Sequence, residues 1–125
     1  FIELMLDLAR TRDTLSVVND EINSITYAPD LAAATHTVLD SGLPPGLYHA
    51  TNSGAASWFD LASEVFRIRH VAVRVEPVPS TRFPRKARRP AKAVLLNTKY
   101  PPLRPWQQAV AAFLADEPKM KPPAA

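Results

Sequence analysis

Cysteine is absent from the 125 residues, and with it go disulfides, thiolate metal ligands and a cysteine nucleophile. Glycine is scarce: Gly42, Gly46 and Gly54 are the only three, and they stand too far apart for the glycine-rich loops that cradle nucleotide phosphates. No apolar run approaches the roughly 20 residues of a membrane-spanning helix, and no basic-then-apolar leader is visible. A cytoplasmic protein with no membrane partner is therefore expected. Acids are scarce in one half only. Residues 65–125 carry thirteen basic and three acidic side chains, a net +10, whereas residues 1–64 carry two basic and nine acidic, a net −7.

The remaining composition is that of an ordinary globular chain, 46% hydrophobic and 22% charged, which excludes a wholly disordered one. Its length suits one domain. Thirteen prolines stiffen the connections. The chain opens at Phe1 inside a helical pattern, so it reads as a piece of a longer polypeptide.

Periodicity predicts the elements. Phe1, Met5 and Leu8 share one helical face. Leu15 to Val18 is a short β-branched run that reads as a strand buried on both faces. Asn19 to Ala28 is polar and irregular. Pro29 and Asp30 open a helix through Leu31, Thr35, Val38 and Leu39, ending near Gly42. Leu47 to Ala50 is expected to be a strand and Thr51 to Ala56 a loop. Ser57, with Asp60 three residues on, is a weaker form of the capping box, launching a helix through Leu61, Val65 and Phe66. Val71 to Val75 reads as a strand, Pro77 to Pro90 as a long basic loop, and Pro105-Trp106 as the start of a last helix with Ala109, Val110, Phe113 and Leu114 inward. The expected architecture is α/β with mainly parallel strands and flanking helices. Residues 1–116 are expected to form the folded lobe and residues 117–125 a disordered proline-rich tail.

Most catalytic constellations fail. His36, His49 and His70 lack metal-ligand spacing. Ser53 lacks the glycine that would precede it in a nucleophile elbow. No tyrosine has a lysine four residues on; those positions are Leu31, Asn52 and Arg104. The chain alone offers no acid–base pair, and unaided turnover is not expected.

The positive signal is a run of six cations in eleven residues: Arg82, Arg85, Lys86, Arg88, Arg89 and Lys92. Such a run is by default a solvated face. It also suits nucleic acid, although Phe83 is its single aromatic and a stacking platform is lacking. It equally suits a small diphosphate gripped by arginine forks. Composition leaves these open.

Four stretches in order resemble the C-terminal part of the dTDP-4-dehydrorhamnose reductases, members of the extended short-chain dehydrogenase/reductase family. Asp20-Glu-Ile-Asn-Ser-Ile-Thr26, with the helix start after it, is similar to the family's Asp-Gln-x-Gly-x-Pro-Thr segment. Gly46-Leu-Tyr-His49, Ser53-Gly54 and Trp58-Phe-Asp-Leu-Ala62 resemble its Gly-x-Tyr-His, Ser-Gly and Trp-x-x-x-Ala elements. Arg89-Pro-Ala-Lys-Ala-Val-Leu95 through Lys99 resembles its Arg-Pro-x-x-Ser-x-Leu stretch, and Pro102 to Trp106 its closing element.

The resemblance implies a Rossmann-like reductase that uses NADPH to reduce the C4 ketone of a dTDP-4-keto-6-deoxyhexose. The dinucleotide and the catalytic Tyr-x-x-x-Lys pair would belong to an N-terminal Rossmann half, and the whole could form a homodimer. It further implies substrate binding by Arg89 first and Lys92 second, with Trp58, Glu21 and Thr26 bordering the site. Departures are Glu21 for the family's Gln, Asn23 for Gly, Ile25 for Pro, Ala93 for Ser, and a short deletion between Lys99 and Pro101. A carboxylate at position 21 beside an anion is expected to weaken binding or alter the sugar accepted. The alternative from another class is a non-catalytic regulatory or binding homologue of the same lobe.

Overall fold

The computed structural model describes residues 1–87 and 89–116. In chain order these hold α1 (Ile2–Leu8), β1 (Thr14–Val18), β2 (Ile22–Asn23), α2 (Ala28–Asp40), β3 (Asn52–Ser53), β4 (Ala56–Ser57), α3 (Trp58–Arg69), β5 (Arg74–Val78), β6 (Lys92–Ala93), β7 (Leu103–Pro105) and α4 (Trp106–Asp116). A single 3₁₀ turn spans Ser80–Arg82. Arg88 and the expected tail 117–125 lie outside the described residues.

The strands form three small sheets. β1 pairs parallel with β5, setting Leu15 opposite Val75. β2 runs antiparallel to β4 and parallel to β6, and β3 runs parallel to β7. Parallel pairing thus predominates, as the α/β reading requires, but the strands do not join in one sheet.

α3 is the centre of the packing. Its start is sealed by the capping box: Ser57 Oγ accepts from the Asp60 N–H at 3.1 Å, and Asp60 Oδ2 accepts from the Ser57 N–H at 2.8 Å. These bonds satisfy amides that a first helical turn leaves without partners. At the other end His70 adopts a left-handed φ of 53°, which closes the helix. Leu61 and Val65 turn to α4, where Trp106, Val110 and Leu114 complete one core cluster with Ala56. Ala62 and Phe66 turn to β1, where they pack on Leu15 and Val17. Fully burying side chains of this size contributes about 1.5–3 kcal/mol each. Gly54 lets α4 approach: its φ is +89°, and a Cβ there would stand 2.9 Å from Trp106 Cδ1.

Several expectations need correction. Leu47 to Ala50 is not a strand. Leu47 is 74% exposed, and Tyr48 folds back so that its hydroxyl donates to the Pro44 carbonyl at 2.6 Å. The extended pairing instead begins at Asn52, inside the expected loop. The strand expected at Val71 to Val75 lies at Arg74–Val78, because its register is set by β1; Val71 and Val73 pack beside α3 instead. β1 buries Leu15 and Val17 on one face, while on the other Thr14 and Ser16 are exposed and only Val18 is buried. α2 turns Ala34 inward, while Leu31 and Leu39 are exposed.

Asn52 ties these parts together. It is 1% exposed; Oδ1 accepts from the Tyr27 N–H at 2.8 Å, and Nδ2 donates to Asp30 Oδ2 at 2.7 Å and to the Arg104 carbonyl at 3.0 Å. Arg104 in turn donates to Asp30 through Nε at 2.8 Å and Nη2 at 2.6 Å, a two-pronged pair. The Arg104 hydrogen bonds hold the Asp30 carboxyl below its ordinary range against the opposing effect of partial burial, and the Asn52 amide adds to the lowering.

Replacing Asn52 by Ala strands the Tyr27 N–H and the Arg104 carbonyl, and we expect a loss of about 1–3 kcal/mol in urea unfolding. The Asp30 pair also sets a pH dependence. Its folded pKa lies below the unfolded one, so the unfolded chain binds the proton first and acid favours unfolding. The stabilisation is present above about pH 4 and is lost as pH falls through the folded value. Unfolding midpoints measured across that window should fall less steeply for Asp30→Asn than for wild type.

Candidate ligand-binding site

The three-stranded β4-β2-β6 sheet brings together segments far apart in sequence. Ile22 stands opposite Ser57 on one side and Lys92 on the other. The Ile22 N–H donates to the Ala91 carbonyl at 2.8 Å, and the Ser24 N–H to the Ala93 carbonyl at 3.4 Å. Residue 21 is thereby held between the N-terminus of α3 and the end of the basic segment.

Glu21 occupies that place and is 5% exposed. An acidic side chain is seldom so buried without partners, and this one has three. Arg85 Nη1 donates to Oε1 at 3.0 Å and to Oε2 at 3.3 Å. The Trp58 indole Nε1 donates to Oε2 at 3.2 Å. Arg89 Nη1 lies 4.0 Å from the same oxygen, at the limit of an ion pair. Two guanidinium groups thus stand near one carboxylate, an excess of positive charge, and the Arg89 side chain is 54% exposed.

Beside this cluster opens a groove of about 900 Å³, with Phe1, Ile25, Thr26, Tyr27, Trp58 and Phe113 among its walls. Trp58 belongs to both: its N–H is turned to Glu21, while its ring stands 4.8 Å from that of Phe1. Tyr27 meets Phe113 edge-on at 6.3 Å, and its hydroxyl donates to the Asp116 carboxylate, which raises the tyrosine pKa above its ordinary value.

The structure therefore gathers Glu21, Trp58 and Arg89 at one point. Thr26 stands exposed on the groove, and Lys92 is exposed on β6. The carboxylate of Glu21 does not stand bare beside the expected anion; Arg85 neutralises it. Arg85, one cation among six in the run, is the partner of Glu21 that spacing alone did not single out. Asp20 has a structural duty: its carboxylate accepts from the Ser80 N–H at 2.8 Å and its hydroxyl at 3.1 Å, joining the ends of β1 and β5. His36 pairs with Asp40 on the α2 surface, and His49 Nδ1 meets the Leu96 carbonyl. Among the described residues, no three His, Cys, Asp or Glu side chains are grouped to hold a metal ion, and no helix is long and apolar enough to cross a membrane.

This is an α/β lobe of short, mostly parallel pairings with a cationic rim beside an aromatic groove. Residues 1–118 match the RmlD substrate binding domain, and the chain belongs to that family. It is 35% identical over 120 residues to the spore coat polysaccharide biosynthesis protein SpsK of Bacillus subtilis, covering 93% of this chain and 42% of that protein. It is 38% identical over 121 residues to a dTDP-4-dehydrorhamnose reductase of Mycolicibacterium smegmatis, covering 92% and 37%. Among solved structures, a dTDP-4-dehydrorhamnose reductase from Clostridium acetobutylicum superposes with a TM-score of 0.85 at 34% identity, over 92% of this chain and 42% of that one. The reductase from Bacillus anthracis, solved in complex with NADP, gives 0.84 at 29% identity, over the same shares. The chain spans about two fifths of the length of the relatives it matches.

Glu21→Ala removes the acceptor for both Trp58 and Arg85. We expect a loss of about 1–3 kcal/mol in urea unfolding, and a smaller loss for Glu21→Gln, whose amide oxygen still accepts the indole N–H.

Proposed function

We propose that this chain is the sugar-nucleotide-binding part of an NADPH-dependent reductase that reduces the C4 ketone of a dTDP-4-keto-6-deoxyhexose, in the making of dTDP-L-rhamnose or a related deoxysugar. The observation that carries this reading is the family match over residues 1–118, joined to an exposed arginine at the motif position beside an aromatic groove. Residues 1–116 act as the substrate lobe. An N-terminal Rossmann half of the same polypeptide supplies the dinucleotide site and the tyrosine–lysine pair.

Within the chain, each residue has a physical duty. Arg89 meets the diphosphate with charge-assisted hydrogen bonds, and Lys92 adds a second, less directional cation. Trp58 offers an aromatic face at the groove, held in orientation by Glu21. Thr26 brings a hydroxyl to the groove wall. The residues of this chain do not fit a dinucleotide: Gly42, Gly46 and Gly54 are separated along the sequence, and only Gly54 makes a close approach, which Trp106 fills. Hydride transfer therefore lies outside this lobe, and binding and orienting the sugar nucleotide lie within it.

The test is the affinity of the intact polypeptide for dTDP-glucose, a sugar nucleotide without the reactive ketone. Arg89→Ala should weaken binding about 10- to 100-fold in a calorimetric titration, the loss of a charged hydrogen-bond pair. Unchanged affinity would remove Arg89 from the site.

A further inference from the structure

We infer that Glu21 is a built-in counter-ion that withholds Arg85 from the ligand and so sets how many cations the anion site presents. This rests on the reading of the site as one for a diphosphate. It adds a specificity-determining residue that does not itself need to touch the substrate.

The geometry separates the two arginines. Arg85 spends its Nη1 on both oxygens of a buried carboxylate, at 3.0 and 3.3 Å. Arg89 reaches the same group only at 4.0 Å and is the more exposed, 54% against 38%. A guanidinium hydrogen-bonded to a desolvated carboxylate gives up that partner at high cost. Among the described residues, Arg89 makes only the long 4.0 Å contact with that carboxylate and no hydrogen bond to it. Trp58 donates to Oε2 as well, which further fixes the carboxylate where Arg85 meets it. Of these two arginines, Arg89 is accordingly the one left available to an anion. A single fork suits a diphosphate whose charge is partly masked by an esterified sugar, whereas two would favour ligands of higher charge.

The experiment titrates wild type, Glu21→Gln and Glu21→Gln/Arg85→Gln with dTDP-glucose and, separately, with inorganic pyrophosphate, each at two salt concentrations. Glutamine keeps an acceptor for the Trp58 N–H but lacks the charge that retains Arg85. The single variant should bind pyrophosphate about tenfold more tightly, the gain of one charge-assisted contact, with a steeper salt dependence. The double variant should return to the wild-type level. Unchanged or weaker binding by a Glu21→Gln protein with a normal circular dichroism spectrum would overturn the inference.

A second measurement needs no variant. In wild-type protein, the side-chain N–H resonance of Arg89 should move on addition of pyrophosphate while that of Arg85 stays; movement of both in parallel overturns the inference. Failure of the functional reading looks different. Pyrophosphate binding that follows this pattern, with no binding of dTDP-glucose, discards the sugar nucleotide and leaves the counter-ion standing.

Discussion

Asn52 makes three hydrogen bonds from a side chain that water scarcely reaches, to the Tyr27 N–H, the Asp30 carboxylate and the Arg104 carbonyl. Each partner lies at a different structural joint. Tyr27 is the residue before α2, Asp30 sits in its first turn, and Arg104 is in β7, directly before α4. The bonds therefore orient the entry of α2 relative to α4. The groove walls follow from that orientation, since Tyr27 precedes one helix and Phe113 belongs to the other. A buried amide with both N–H groups and its oxygen engaged rigidifies its neighbourhood, because a rearrangement leaves a polar group without a partner in a medium of low dielectric.

The division of charge along the chain acquires a second meaning in three dimensions. Acids of the first half meet bases of the second: Glu21 with Arg85, and Asp30 with Arg104. Part of the opposition between the two halves is thus spent within the fold, holding together segments that are far apart in sequence. What remains for an external anion is the remainder after this pairing, with Arg89 and Lys92 exposed at the rim. A count of cations in the run overstates the charge a ligand meets, since the count cannot tell which cation turns inward.

The helices were legible because their signals are local. Ser57 and Asp60 seal α3 by a contact three residues long, and Pro105 precedes α4 with its inward residues at the expected spacing. The strands were legible only where a run was long enough to carry a pattern, as at β1. Strands of two residues, such as β2, β3, β4 and β6, exist through partners elsewhere in the chain, and nothing in their own residues announces them. The shift of β5 has the same origin: Val71 and Val73 suit a strand, but the register with Thr14–Val18 draws Arg74–Val78 into it. At the site, motif resemblance brought out Glu21, Trp58 and Arg89, which the fold then gathered. Arg85 escaped because position within a basic run says nothing about direction.

Stiffness decides how such a trimmed charge can still recognise anything. The basic segment is restrained by Pro79, Pro84 and Pro90, each with its φ preset, so less entropy is lost when the segment is ordered. It is tied down at two places, by Arg85 on Glu21 and by the Ala91 and Ala93 carbonyls on β2. Arg89 lies between those anchors. A cation held in this way reaches an anion without the ordering cost that a free loop would incur on binding. On the proposed reading, the position of the Arg89 fork matters to selectivity as well as the number of positive charges. A long polyanion such as nucleic acid gains most from many phosphate contacts spread along a surface, whereas the proposed arrangement, a guanidinium tied in beside an aromatic groove, suits a compact ligand that ends in a ring.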